Sequence, residues 1–340
     1  MTKQGYFLFI VILFLVLGLS FFAGLFSGPV LISPAALWEA LVPALSGRGD
    51  DTSALILFSI RLPRLILGIA VGASLALSGA AFQGFFRNSL ADPFVIGASA
   101  GAALGAALAM TWGPAPGAFP LVQLSAFSGA LCAVALAFAV SRSAGNPPPA
   151  AALLLAGSGI GAFFSALLSL IMVIKDKNLT RVYYWLLGSL GGSSWAGLWP
   201  GLPVMALGCI IIVLAARPLD LMLQGDEAAE SLGVDVKKTR LLIGLGASLA
   251  SAAAVAQAGI IGFVGLVAPH CVRLIAGPSH RRLFPAAALS GAILVLLSDS
   301  LARAAMPPME LPLGIITSLA GSPFFIFLLV SQGRKLRNFS

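Results

Sequence analysis

A chain of 340 residues that is 59% hydrophobic and only 9% charged, with a mean hydropathy of +1.01, has too few polar side chains to cover a water-facing surface. This excludes a soluble domain and leaves an integral, multi-span membrane protein. The net charge of +8 would suggest a nucleic-acid partner in a soluble protein, but here the basic residues sit mostly in short loops, so topology accounts for much of the excess and no nucleic acid is expected.

The first apolar run, Tyr6–Phe26, is about a full bilayer span, longer than the roughly 7–15 residues of a signal-peptide core. No convincing small-x-small cleavage site follows, so a retained first helix is expected. The outer loop 28–60 contains "SPAALWEAL": Ser33 suits a cap, Pro34 the first helical position, and Leu37 and Leu41 an apolar stripe. This predicts a short helix lying on the membrane surface. Further apolar runs cover 62–84, 93–111, 118–140, 149–174, 196–216, 240–258, 261–276, 284–305 and 311–331. Most match the roughly twenty residues that a helix needs to cross the hydrocarbon. The eighth is short and carries Pro269, His270 and Arg273. The alternating ten-residue segments of a β-barrel are absent. The expected fold is all-α, one transmembrane domain over 1–340 with about ten membrane helices.

Glycines recur at helical spacing, at 68 and 72, at 97, 101 and 105, and at 157 and 161, as tight helix packing requires. Cys132, Cys209 and Cys271 lie singly inside apolar runs and suggest neither a disulfide framework nor a metal site.

With the N-terminus inside, the cytoplasmic loops hold Arg87, Arg142, Arg217, Lys237, Lys238, Arg240, Arg281 and Arg282, and the tail adds Arg334, Lys335 and Arg337. This is a consistent positive-inside pattern that predicts an N-in, C-in topology. Arg61, Arg64 and Arg303 break it, as do Lys175, Lys177 and Arg181. Either these side chains snorkel from helix ends, or they await an acidic partner outside.

The stretch 225–240, "GDEAAESLGVDVKKTR", carries seven charges between two long apolar runs. Asp226 is expected to cap a short helix, and Gly233 sits where a left-handed C-terminal residue belongs. Ala228, Ala229 and Leu232 share one face by spacing. Upstream, "PLDLML" offers a second amphipathic piece with Leu221 and Leu223. A plain connector needs only a few polar residues. Two short helices with small apolar faces suit either docking in a partner's groove or an ordered loop.

Of the remaining polar residues, Asp299 and Arg303 are placed for an i,i+4 pair or a packing hydrogen bond, favoured over a substrate contact. Structural hydrogen bonding is expected of His270 and Arg273, and a helix cap of Asp92-Pro93. No paired carboxylates, Ser–His–Asp set or metal cluster appears, so no catalytic residues are assigned.

Four stretches carry a resemblance: "RLPRLILGIAVGASLALSGAAFQGFFRNSLADPFVIGASAGAALGA", "GDEAAESLGV", "GIIGFVGLVAPHCVRLIAGPSHRRLFP" and "ELPLGIITSLAGSPFFIFLL". In this order they resemble the family of ABC-importer permeases for ferric siderophores, haem and cobalamin, over about 55–331. The resemblance implies the type II importer permease fold in the cytoplasmic (inner) membrane of a bacterium or archaeon. It implies a homodimer with the pathway between its copies, two ATPase subunits beneath, and a binding protein outside. ATP and Mg would belong to the ATPase, because the chain has no G-x-x-x-x-G-K-[ST].

The family's coupling loop matches 218–236. Leu221, Gly225, Asp226, Glu227, Ala228, Ala229, Leu232, Gly233 and Val234 are then the expected ATPase-coupling residues. Arg61, Arg64 and Arg303 match arginines that receive acidic residues of the binding protein. The stiff "GNPPPAAA" at 145–152 departs from the small polar residues expected near the cytoplasmic gate, so no gate residues are carried over. The competing classes are an ion-coupled secondary transporter, which would favour midplane ionisable residues and broken helices, and a membrane-embedded enzyme.

Overall fold

Helix α1 (Lys3–Phe26) starts where the Thr2 hydroxyl accepts from the Gly5 N–H at 3.1 Å, and it runs unbroken through the first apolar segment. The structure is a computed structural model that describes residues 1–28, 52–113, 119–145 and 150–337. The surface helix expected on "SPAALWEAL" within 28–60 falls outside the described residues, as do the prolines of "GNPPPAAA". A turn at Thr52–Leu55 and a π-helical stretch at Ile56–Arg61 lead straight into α2 (Leu62–Phe85), with Pro63 in its first turn.

The helices that follow are α3 (Ala98–Trp112), α4 (Phe119–Ser141), α5 (Ala150–Ile174), the short α6 (Leu179–Leu186), and α7 (Trp195–Leu214). Two more short helices, α8 (Ala216–Met222) and α9 (Asp226–Ser231), precede α10 (Val236–Ala258), α11 (Val264–Ala276), α12 (His280–Ala304) and α13 (Leu313–Arg337). Among the described residues seven helical stretches are long and apolar enough to span a bilayer, and α3, α11 and α13 supply three shorter apolar ones. Each of the ten expected segments thus forms a helix. The N-terminus sits at the basic end of α12, where the Tyr6 hydroxyl donates to the Arg282 carbonyl at 2.9 Å. The positive-inside pattern makes this the cytoplasmic end.

The third segment begins later than its sequence suggested. Asp92 does not cap a helix: its carboxylate accepts the Phe94 N–H at 2.8 Å in a turn, and α3 starts after Gly97, which lies in the left-handed region at φ 86°. Outside the membrane segments, α6 was not foreseen, because its eight residues are too few to show a period.

Helix α2 is the spine of the bundle, packed against α12, α10, α11 and α7, while α3, α4 and α5 form a neighbouring group joined to α10 through α4. Lipid tails are as apolar as leucine, so association rests on close packing and not on the exclusion of water. The small residues provide it. A methyl group added at Gly79 would lie 1.7 Å from the Gly265 carbonyl oxygen, and one at Gly101 2.2 Å from that of Gly129. In contrast α5 is nearly bare, with Leu155 74% and Val173 80% exposed.

Candidate functional site

The two short helices at the cytoplasmic end fold around a core of their own. Met222, Ala229 and Val236 are buried together, with Leu221 and Val234 packed on them. Helix α9 ends in a Schellman turn: Gly233, at φ 83°, donates to the Glu230 carbonyl at 2.9 Å, and the Val234 N–H reaches back to Ala229 at 3.0 Å. Gly233 therefore has the left-handed role its position suggested. Gly225, at φ 119°, makes the opposite corner.

Asp226 does not cap α9, which starts from Gly225 without a side-chain cap. Its carboxylate is drawn instead to two arginines, 2.5 Å from Arg87 at the end of α2 and 2.5 Å from Arg240 in α10. Paired cations outcompete the weaker N–H dipoles for a carboxylate. The same Arg87 also donates to the Met222 carbonyl at 2.6 Å. Ala229 is fully buried, so the shared face with Ala228 and Leu232 is not an open one. What the loop presents is Leu223, 40% exposed, and Leu232, 59% exposed, among the exposed charges Glu227, Glu230, Lys237 and Lys238.

Sequence reasoning missed two anchors. Asp235 caps α10 by accepting the Lys238 N–H at 2.9 Å, a short-range pattern visible in "DVKK". Asp220 in α8 accepts the backbone N–H of His280 at 2.6 Å and the Ser279 hydroxyl at 2.9 Å, and its Oδ1 lies 2.7 Å from His280 Nδ1. Burial raises the Asp220 pKa, but the hydrogen bonds from His280 and Ser279 outweigh it and hold the carboxyl below its usual range. Only the fold brings positions 220 and 280 together, so no local signal marked them.

At the outer end the stray arginines are not free charges. Arg61, Arg64 and Arg303 are 4%, 7% and 3% exposed. Arg64 donates from Nη2 to Asp299 at 2.9 Å and from Nη1 to Glu310 at 2.8 Å. Arg303 donates to the Ser27 carbonyl at 2.5 Å and the Gly24 carbonyl at 3.1 Å. Its Nε lies 3.1 Å from Asp299, an ion pair across one helical turn without hydrogen-bond alignment. Arg61 donates to the Leu25 carbonyl. The expected i,i+4 pair of Asp299 and Arg303 is present, and Arg64 joins it. Neither snorkelling nor an open docking cation describes this arrangement: the guanidinium groups are turned into the protein.

The hydrogen bonding expected of His270 and Arg273 is not found. Among the described residues His270 Nδ1 is buried without a partner and the Arg273 guanidinium is unpaired, and the His270 ring meets Phe324 edge-on. No group of three potential metal ligands occurs among the described residues.

The chain matches the FecCD transport family over residues 13–331. It is 43% identical over 311 residues to the cobalamin import system permease protein BtuC of Halobacterium salinarum, covering 90% of this chain and 82% of that one. It is 41% identical over 285 residues to the hemin transport system permease protein HmuU of Yersinia pestis, covering 82% and 84%. A solved structure described as a metal-chelate type ABC transporter in an inward-facing conformation superposes with a TM-score of 0.82 at 32% identity, covering 95% of this chain and 98% of that one.

Proposed function

The chain belongs to the FecCD transport family, and on that premise we propose that it is the membrane permease subunit of an ATP-driven importer of a metal chelate. The cargo class is an iron siderophore, haem or cobalamin, in keeping with relatives named for cobalamin, hemin and Fe(3+) dicitrate transport. The chain is a multi-pass inner-membrane protein and a transport subunit, not an enzyme. Two copies would line the pathway between them, and the bare apolar face of α5 suits either that partner or lipid. ATP and Mg would bind a separate ATPase beneath each copy.

The observation that carries this reading is the way α8 and α9 are tied down. Asp226 bridges to α2 and α10, Asp220 to α12, and Leu223 and Leu232 are left exposed on the cytoplasmic side. A push on those leucines by an ATPase is transmitted to three membrane helices, which is what switching between two rigid packings needs. Leu221, Gly225, Asp226, Ala229, Gly233 and Val234 then shape and anchor the coupling unit, while Glu227, Ala228 and Leu232 meet the ATPase.

Outside, docking of a binding protein at Arg61, Arg64 and Arg303 takes the form of an exchange. Glu310, whose side chain is 33% exposed, is the accessible partner of Arg64, and an incoming carboxylate would take its place.

Affinity purification of the tagged chain from native membranes in mild detergent tests the whole reading. One ATPase per permease and a solute-binding protein are expected, and the ligand of that protein would identify the cargo. An intact chain that transports without an ATPase would overturn the proposal in favour of an ion-coupled carrier.

A further inference from the structure

We propose that a cleft of about 300 Å³ beside the coupling helices, between the cytoplasmic ends of α2, α11 and α12, binds a phosphate-type oxyanion. Its walls include Gly84, Arg87, Ser89, Leu223, Arg273 and His280. Three of these are cationic or can become so, and two have unmet bonding capacity. The His280 side chain is 2% exposed, with Nδ1 engaged by Asp220 and Nε2 buried without a partner. A buried ring nitrogen without a partner is costly, and a ring that carries both protons presents Nε2 as a donor. The Arg273 guanidinium, in the last turn of α11, has no hydrogen bond or ion pair among the described residues. Arg87 commits Nη2 to Asp226 and Met222 and keeps its other donors.

The position of His280 is built, not incidental. A methyl group at Gly84 would lie 2.5 Å from Nε2, so only glycine there leaves room for the ring in the cleft. His280 is also the first residue of the 25-residue α12, whose N-terminal dipole adds positive potential.

Donors arriving from three helices, one of them a planar fork, suit an acceptor with oxygens pointing in several directions, as in phosphate, better than a flat carboxylate or a chloride. Gln83 and Arg273 lie in the last turns of membrane helices, at the level of inner-leaflet headgroups. The phosphate could therefore belong to a phospholipid or be free in the cytoplasm.

The test is thermal unfolding of the full chain in phosphate-free detergent, titrated with sodium phosphate against sodium chloride at equal ionic strength. A parallel series uses nanodiscs of phosphatidylcholine alone or mixed equally with phosphatidylglycerol. A saturable rise in melting temperature is expected. Arg273→Gln should weaken its midpoint about tenfold, the effect of losing one charge-assisted hydrogen bond. Gly84→Ala, which drives a methyl group against Nε2, should weaken it too. Arg273 has no partner to lose among the described residues, so its variant keeps the test decisive even if Gly84→Ala fails to assemble. A response to phosphate identifies a free anion, and one confined to phosphatidylglycerol discs identifies a headgroup. The proposal is overturned if neither probe gives a saturable shift that depends on Arg273. It is equally overturned if Arg273 is filled by an ATPase carboxylate in the assembled importer while phosphate does nothing.

Discussion

Each end of α2 carries an arginine that shares a carboxylate with a second arginine from elsewhere in the chain. Outside, Asp299 lies between Arg64 and Arg303; inside, Asp226 lies between Arg87 and Arg240. The chemistry is the same and the setting opposite. The Asp299 side chain is 2% exposed and that of Asp226 35%. Burial makes an ion pair costly to break, whereas water makes it cheap to rearrange. The outer cluster therefore fixes the helix ends, and the inner one holds a connector that has to move.

The sharpest way to break the comparison is Asp299→Asn, which leaves Arg303 without a carboxylate and Arg64 with Glu310 alone. Removing one member of a buried ion pair costs about 3–5 kcal/mol, so the variant should melt well below the wild type in detergent or fail to accumulate in membranes. A normal melting temperature would mean that the outer cluster is not the fastening inferred from its burial.

The next effect should be on transport and not on stability. Proline cannot adopt the φ of 83° at Gly233, and Leu232→Asp removes the exposed apolar contact. The double variant Gly233→Pro, Leu232→Asp should insert normally yet lose an order of magnitude in uptake, equivalent to about 1.4 kcal/mol on the coupled step, with ATP hydrolysis persisting. Normal uptake would remove the coupling role.

Smaller changes sharpen the contrast. Asp226→Asn should cost no more than about 1 kcal/mol of stability because its pairs are half-exposed. The associated loss of transport should be mimicked in the wild type by raising the salt concentration. Glu310→Gln should tighten docking of the binding protein at low ionic strength by freeing one face of Arg64. Unchanged affinity would leave the outer arginines purely structural.

The smallest effect concerns pH. The Asp220 carboxyl has a folded-state pKa below its ordinary value of about 3.9. Its stabilising contribution is complete above that ordinary value and is lost only as pH falls through the lower folded one. The stability that Asp220 contributes over Asp220→Asn should therefore still be present at pH 5 and shrink only below about pH 4, as paired melts would show.

The membrane helices could be read from the sequence because an apolar run of bilayer length suits little besides a membrane span. Gly233 was legible too, since its role depends on neighbours within four residues. Asp226 was misread for the complementary reason: its position next to Gly225 suggested a cap, but its partners lie 139 residues before it and 14 after it. The outer arginines broke the topology rule in a way that pointed to a partner. For Arg303 the i,i+4 spacing already named Asp299, but only the fold shows that Arg64, 235 residues away, shares that carboxylate.

That separation also sets an order of events during synthesis. Arg64 enters the membrane long before the residue that neutralises it exists, and at roughly 5–20 residues per second the delay is roughly 10–50 s. During this interval the leading end of α2 must stay among the lipid headgroups, its cations hydrated, and the first two spans cannot settle to their final depth. Arrival of α12 supplies Asp299, and the short link to α13 brings Glu310. Assembly of this protein is thus closed from its last helices backwards, and a chain stalled before them would expose Arg64 without its carboxylates, a mark by which a membrane protease could recognise it as unfinished.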